Sequence, residues 1–230
     1  MLSTIRLARD IKEFYKTDYS KEGIFIHVDE SDTTNIKAMI IGGEDTPYEF
    51  GFHFFSIQIP NGYPLDPPKV KYQTGDGRTR FNPNLYVDGK VCLSIIGTWA
   101  GPPWSAVFTF GTVLLSIKSM IMNETPLINE PGYEKVDKKM IDDYTHFVEH
   151  QNLKVALLQQ LLNIPKDFEP FYDKMIDYFN ENKNKIHKRI MNNLENKNNV
   201  AIKVSYANSN LTTNYNEILD LYNQVCNKLK

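Results

Sequence analysis

The chain has 230 residues, 41 % of them hydrophobic, and a formal net charge of −2. That length can bury a full core, as one domain or as one domain with an attached unit, and so small a charge asks for no nucleic acid. No apolar run approaches eighteen residues and no secretory leader opens the sequence, so a soluble intracellular chain without a membrane partner is expected.

Residues 3–15 carry helical spacing: Ser3 or Thr4 can cap, and Ile5, Ala8, Ile11 or Lys12, and Tyr15 form a stripe. The opposite side, with Arg6, Arg9, Lys12, Glu13 and Lys16, is either a solvated face or a docking face for a protein. From Gly23 the period changes to two. Strands are expected over residues 23–28, 35–41, 52–60 and 70–73, separated by turn-rich stretches such as Gly42-Gly43-Glu44-Asp45. Short connections favour an antiparallel meander with one face on a core. Tyr63-Pro64-Leu65-Asp66-Pro67-Pro68 is a stiff connection, either a simple crossover or a loop presenting Leu65.

A polar, turn-rich stretch then delivers Cys92 immediately before an apolar run, with the Asn84 amide eight residues upstream and Asp88-Gly89 between them. This layout predicts an accessible, reactive thiol. Residues 98–104 form a further turn, after which Phe110, Val113, Leu114, Ile117 and Ile121 mark a helix packed across the sheet. Beyond residue 133 the chain is helical in pattern. One helix is expected over residues 141–162, a second after Pro165 through Phe171, Met175, Tyr178 or Phe179, Ile186 and Ile190, and a last one from Tyr215 to Leu229. The asparagine-rich residues 192–199 are expected to be a loop, and residues 200–206 a short strand or an extended connection. Cys226 lies beside the last apolar stripe and suits packing. Both cysteines are expected to be reduced, and five scattered histidines offer no metal-site spacing. His53 is expected to be a packed or surface strand residue. The basic group from Lys183 to Arg189 lacks interleaved aromatics, which argues against nucleic-acid binding.

Asn82-Pro83-Asn84 with Cys92 eight residues after Asn84, the Tyr-Pro-Leu-Asp-Pro-Pro element at 63–68, and Trp104-Ser105 together resemble the ubiquitin-conjugating enzymes (E2). The similarity is greatest to the large subclass with a helical C-terminal extension, whose animal member accepts ubiquitin and a two-domain ubiquitin-like modifier. Three places depart from the family pattern: Asn82 stands at the usual His, Leu65 at a Phe and Ala106 at a Pro. The resemblance implies an α+β fold with an N-terminal helix, a four-stranded antiparallel meander sheet and a crossover helix. It divides the chain into a catalytic core over residues 1–133 and a mostly helical extension over 134–230, packed on or beside it. Residues 97–103 hold about four more residues than compact members.

By that resemblance Cys92 is the nucleophile and thioester carrier, and Asn84 stabilises an oxyanion, supports its own loop, or both. Glu130 would position the acceptor lysine, in preference to Asn129, while Asp88 is a weaker candidate and more simply a turn residue. Ile5, Arg6 and Arg9 on the first helix, with Leu65, Trp104 and Ala106, would meet partners. These would be an activating enzyme (E1), ubiquitin or a ubiquitin-like protein, a RING-type or HECT-type ligase (E3) and a substrate lysine. No cofactor or metal is implied; ATP is consumed by the activating enzyme, and the chain has no phosphate-binding loop ending in Lys-Ser or Lys-Thr. The implied compartment is the cytoplasm, with the nucleus open too, or a host cytoplasm for a viral source. Against an active conjugating enzyme stand two other readings, an inactive relative that binds pathway proteins and a cysteine hydrolase. The first would be signalled by loss of Cys92, and the second lacks a placed histidine base.

Overall fold

The computed structural model describes residues 2–206 and 209–230. Helix α1 spans Leu2–Thr17. Its buried face is Leu7, Asp10 and Phe14, with Ile11 partly covered, whereas Ile5, Ala8 and Tyr15 face outward, opposite to the stripe expected from the sequence. Asp10 explains the inversion. Its carboxylate accepts from Arg6 Nε at 2.8 and 2.9 Å and from the Tyr63 hydroxyl at 2.5 Å, so an acid sits on the core face fully paired.

Four strands follow, β1 Ile24–Val28, β2 Asn35–Ile41, β3 Phe52–Gln58 and β4 Lys69–Tyr72, antiparallel in the order β1-β2-β3-β4. Ala38 stands opposite both Ile26 and Phe55, so small and large side chains alternate across the sheet. Helix α2, Phe110–Ser116, continues in a π-wound turn, Ile117–Ile121, and covers one face. Phe110, Val113, Leu114, Ile117 and Ile121 pack there against Ile36, Ala38, Ile40, Phe55 and Ile57. Thr109 caps the helix by accepting from the Thr112 backbone N–H.

The sheet is covered on its other face as well, where the sequence pointed to one. Met39, Ile41, Phe52 and Phe54 meet Leu153, Leu157, Leu161, Phe168, Phe171 and Met175 from the C-terminal part. The run Phe52-His53-Phe54-Phe55 reflects this: a strand buried on both faces loses its polar alternation. Helix α3, Lys138–Gln151, runs through a π-wound stretch, Asn152–Leu158, into α4, Gln159–Leu162. A 3-10 segment, Lys166–Phe171, leads to α5, Tyr172–Lys197, and α6, Tyr215–Lys228, closes the chain.

Helix α5 absorbs most of the expected asparagine-rich loop. Asparagine is a mediocre helix former, but Ile186, Ile190 and Asn193 are buried, and Lys197 reaches Glu149 of α3 at 2.7 Å. Burial alone would raise the Glu149 carboxyl, but Lys197 and Arg189 outweigh it and hold it below its usual range. Strand β5, Ala201–Val204, pairs antiparallel with β6, Ser209–Thr212, a strand with no clear sequence signal.

His53 joins sheet and extension. It is fully buried, with Nδ1 2.8 Å from the Tyr72 hydroxyl and Nε2 3.0 Å from Asn152 Oδ1, which assigns the proton to Nε2. Asn152 Nδ2 in turn donates to the Glu49 carbonyl at 2.8 Å. Gly51 makes room for this contact, since a Cβ there would lie 1.9 Å from Asn152 Oδ1.

Burial pushes His53 down to about 4 and, aided by Lys197, His146 also to about 4. A histidine depressed on folding binds its proton in the unfolded chain first, so its contribution is complete above about pH 6.5 and is lost as pH falls towards 4. Urea midpoints should therefore drop steadily between pH 7 and pH 4.5, with His53 accounting for roughly 2–3 kcal/mol of the loss. A His53→Gln chain, less stable at pH 7, should lose correspondingly less on acidification; an equal pH slope in both chains would refute this assignment.

Candidate active site

The segment after β4 is organised by Asn82, which is fully buried. Its Nδ2 donates to the Tyr48 hydroxyl at 2.8 Å and to the Ile121 carbonyl at 2.7 Å. Its Oδ1 accepts from the Asn84 backbone N–H at 2.9 Å and from Asn129 Nδ2 at 3.4 Å. The Ile121 carbonyl ends the π-wound turn, where helical partners run out, and the two asparagine amides supply its donors.

Asn84 and Cys92 are bonded to each other twice. The Cys92 N–H donates to the Asn84 carbonyl at 2.9 Å, and Asn84 Nδ2 donates to the Cys92 carbonyl at 2.8 Å. The side-chain amide is thus a brace for the cysteine backbone, the loop-supporting role, and its Oδ1 is buried with no partner among the described residues. Asp88 is exposed and accepts from the Lys90 N–H at 3.0 Å, as a turn residue does. Gly89 follows with φ of 92°, and a Cβ there would lie 2.7 Å from the Tyr72 carbonyl.

The thiol is less open than the sequence suggested: Cys92 is only 1 % exposed. The following loop folds back on it, because the Leu93 N–H donates to Thr98 Oγ1 at 2.9 Å and Thr98 Oγ1 donates to the Val91 carbonyl at 2.7 Å. Cys92 nevertheless forms part of the wall of a cleft of about 310 Å³, together with Asn84, Trp99, Pro102, Met120 and Asn129. Trp99 and Met120 are 39 % and 60 % exposed, so the cleft reaches the surface beside a sheltered sulfur.

Glu130 is not among the residues that line this cleft. Its carboxylate accepts from the Tyr206 hydroxyl at 3.0 Å, whereas Asn129, the other residue weighed for this place, lines the wall. Asn129 is held by Asn123 Nδ2, which donates to its Oδ1 at 2.7 Å.

Among the expected partner-facing residues, Ile5 and Leu65 are 65 % and 80 % exposed and Arg9 is exposed. Arg6 is not free: besides Asp10, its guanidinium donates to the carbonyls of Ala106 at 2.8 Å and Phe108 at 3.0 Å, fastening α1 to that loop. Trp104 is half-buried and donates to the Pro64 carbonyl at 2.8 Å, and Ala106 is half-buried beside it. Val107, which no sequence pattern singled out, is 78 % exposed and lies on the loop that Arg6 anchors. The roles of Asn82 as a hub and of Trp99 in the cleft wall were missed too, although both residues stood in segments singled out from the sequence.

Residues 6–155 match the profile of the family described as ubiquitin-conjugating enzyme. The chain belongs to that family. It is 44 % identical over 162 residues to ubiquitin-conjugating enzyme E2 Z of Xenopus tropicalis, covering 68 % of this chain and 50 % of that protein. Its identity to the Homo sapiens E2 Z is also 44 % over 162 residues, covering 68 % of this chain and 44 % of that protein. The chain thus matches about half the length of these relatives or less. The E2 domain of a Toxoplasma gondii ubiquitin-conjugating enzyme superposes with a TM-score of 0.51 at 27 % identity, over 66 % of this chain and 99 % of that one. The four-stranded antiparallel sheet and N-terminal helix are those of the conjugating-enzyme fold. Among the described residues no helix is long and apolar enough to cross a membrane.

Trp99 is the largest side chain in the wall of the cleft, and removing it should uncover the sulfur. A Trp99→Ala chain should be alkylated by iodoacetamide at Cys92 several times faster than the parent, with Cys226, on α6, as the internal control in peptide mass spectra. Equal rates at Cys92 would show that this wall does not limit access.

Proposed function

We propose that the chain is an active conjugating enzyme that accepts ubiquitin or a ubiquitin-like protein from an activating enzyme as a Cys92 thioester and passes it to an amine or to a ligase thiol. The observation that carries this reading is the pairing of Cys92 and Asn84 through two hydrogen bonds on the wall of a cleft that reaches the surface. A shallow cleft suits a protein tail, whereas a small-molecule enzyme would favour a deeper, more enclosed pocket.

In the first step the Cys92 thiolate attacks the carbonyl carbon of the thioester on the activating enzyme. A new C–S bond forms, the old one breaks, and the activating enzyme's thiolate departs, ATP having been consumed there beforehand. In the second step a neutral substrate lysine attacks the Cys92 thioester. The C–N bond forms, the C–S bond breaks, the sulfur leaves as thiolate and the amine's extra proton passes to solvent. An unassisted thiol is a few per cent thiolate near neutral pH and leaves readily, so no histidine base is required. The neutral form of lysine is scarce there, so positioning and desolvation of the amine matter more than a strong base. Asn129 on the cleft wall is the better placed residue for that task.

Negative charge develops on the thioester oxygen during both attacks. Asn84 uses one amide hydrogen on the Cys92 carbonyl, and in this reading its second serves the oxyanion, so bracing and stabilisation are combined. Ile5, Arg9, Leu65 and Val107 form the surface for the activating enzyme and for RING-type or HECT-type ligases, in the cytoplasm or nucleus. Residues 1–133 carry the chemistry, with 134–230 as the extension.

Incubation with activating enzyme, modifier and ATP should give a thiol-sensitive adduct whose mass maps to Cys92. Cys92→Ser should give a thiol-resistant adduct and Cys92→Ala none, while Asn84→Ala should charge but discharge to lysine roughly 10²-fold more slowly. Absence of any adduct across a panel of activating enzymes and modifiers would sink the reading.

A further inference from the structure

We propose that Tyr206, outside the catalytic core, is a positioning residue for the chemistry at Cys92, because its hydroxyl links the two loops that wall the thiol cleft. The assignment to chemistry rests on the conjugation reading above.

The first loop is held by Arg80. Its Nε donates to the Asn82 carbonyl at 3.1 Å and a terminal nitrogen donates to the Pro83 carbonyl at 2.6 Å, immediately before Asn84. The guanidinium lies 3.5 Å from the centre of the Tyr86 ring, and the Tyr144 hydroxyl donates to the Arg80 carbonyl at 2.8 Å. The same terminal nitrogen donates to the Tyr206 hydroxyl at 3.3 Å.

The second loop is reached through the other side of that hydroxyl, which donates to Glu130 Oε2 at 3.0 Å. Glu130 directly follows Asn129, whose amide donates to Asn82 Oδ1 and to the Ile121 carbonyl and which forms part of the cleft wall. A cation, a hydroxyl and a carboxylate therefore run in series from one wall to the other. Among the described residues, the hydroxyl is the only atom bonded to both Arg80 and Glu130. Charge-assisted hydrogen bonds of this kind are stronger and more directional than neutral ones.

Tyr206 also packs by its ring, edge-on to Tyr133 at 5.5 Å and to Tyr144 at 5.7 Å. A phenylalanine would keep that packing and lose the bridge, so the two roles are separable. Without the hydroxyl, Arg80 loses an acceptor and Glu130 loses a donor, and among the described residues the two walls are held to each other only through Asn82, Asn129 and the Ile121 carbonyl they share. The sulfur should become easier to reach and the transfer geometry less well held, and a displacement of about 1 Å can cost up to 10²-fold in rate.

The test compares the parent chain with Tyr206→Phe in two assays. Alkylation by iodoacetamide, resolved by peptide mass spectrometry, should rise about threefold or more at Cys92 and stay unchanged at Cys226. Single-turnover discharge of the charged enzyme should fall about fivefold at saturating lysine, with the half-saturating lysine concentration unchanged. Glu130→Ala, which removes the carboxylate end of the series, should raise Cys92 alkylation to the same degree, and the double substitution should add nothing further. Glu130→Ala carries the test if Tyr206→Phe fails to fold. Parent-like alkylation at Cys92 in the variants would overturn the bridge, and faster alkylation with parent-like discharge would overturn the role in chemistry. A parent chain that no activating enzyme charges would sink the conjugation reading, and with it the role in chemistry, while the alkylation assay still decides the bridge.

Discussion

The Asn82 side chain is the point on which the site depends. A planar amide has two donor hydrogens and an oxygen with two lone pairs, and here all are engaged in a place water does not reach. Its partners come from the β2-to-β3 connection, from the end of the π-wound turn, from its own loop and from the loop at 129. Chain segments far apart in sequence are thus fixed to one another by a group that a buried apolar side chain could not replace. Such networks are stiff when fully satisfied and costly when broken. Asn84 and Cys92 take their geometry from this arrangement through the Asn84 backbone N–H.

The C-terminal part is physically continuous with the sheet. Phe52 and Phe54 of the central strand β3 are buried against its helices, and His53 closes on Asn152 only because Gly51 leaves space. Arg189 of α5 binds Glu149 at 2.9 Å and also pairs with Glu49, so three elements share a partly buried charge cluster. Removing one member of such a cluster leaves another charge uncompensated, which is a larger penalty than the pair's own net gain. The outer face of the sheet is accordingly occupied from within the chain. Contacts then extend to the thiol cleft through Tyr206, so the extension and the site share a mechanical connection.

Much of this was legible in the residues. Period-two alternation gave the four strands nearly to the residue, helical spacing gave α2 and the C-terminal helices, and the interval from Asn84 to Cys92 pointed to the thiol. Most of what escaped was decided by contacts across long sequence distances. Asp10 disguised the buried face of α1 because its partner Tyr63 lies 53 positions away. Cys92 was read as open because the residue types around it do not show that the Thr98 hydroxyl ties the next loop back to Val91 and Leu93 on either side of it. The bond from Tyr206 to Glu130 escaped because the hydroxyl belongs to residue 206, and the fastening of Arg6 to the loop at 106–108 escaped because those two acceptors are backbone carbonyls 100 or more positions on. Residues 192–197 were read as loop from composition, where packing and an ion pair make helix.

The Asn82 network implies that the thiol sits in a framework as rigid as the sheet, and native-state hydrogen exchange tests this most directly. The backbone N–H groups of Asn84 and Cys92, bonded to Asn82 Oδ1 and the Asn84 carbonyl, should exchange only through the same opening that releases the β3 amides, with equal free energies and equal denaturant dependence. Exchange of these two amides through a separate local opening, several kcal/mol below that of β3 and insensitive to denaturant, would contradict the account.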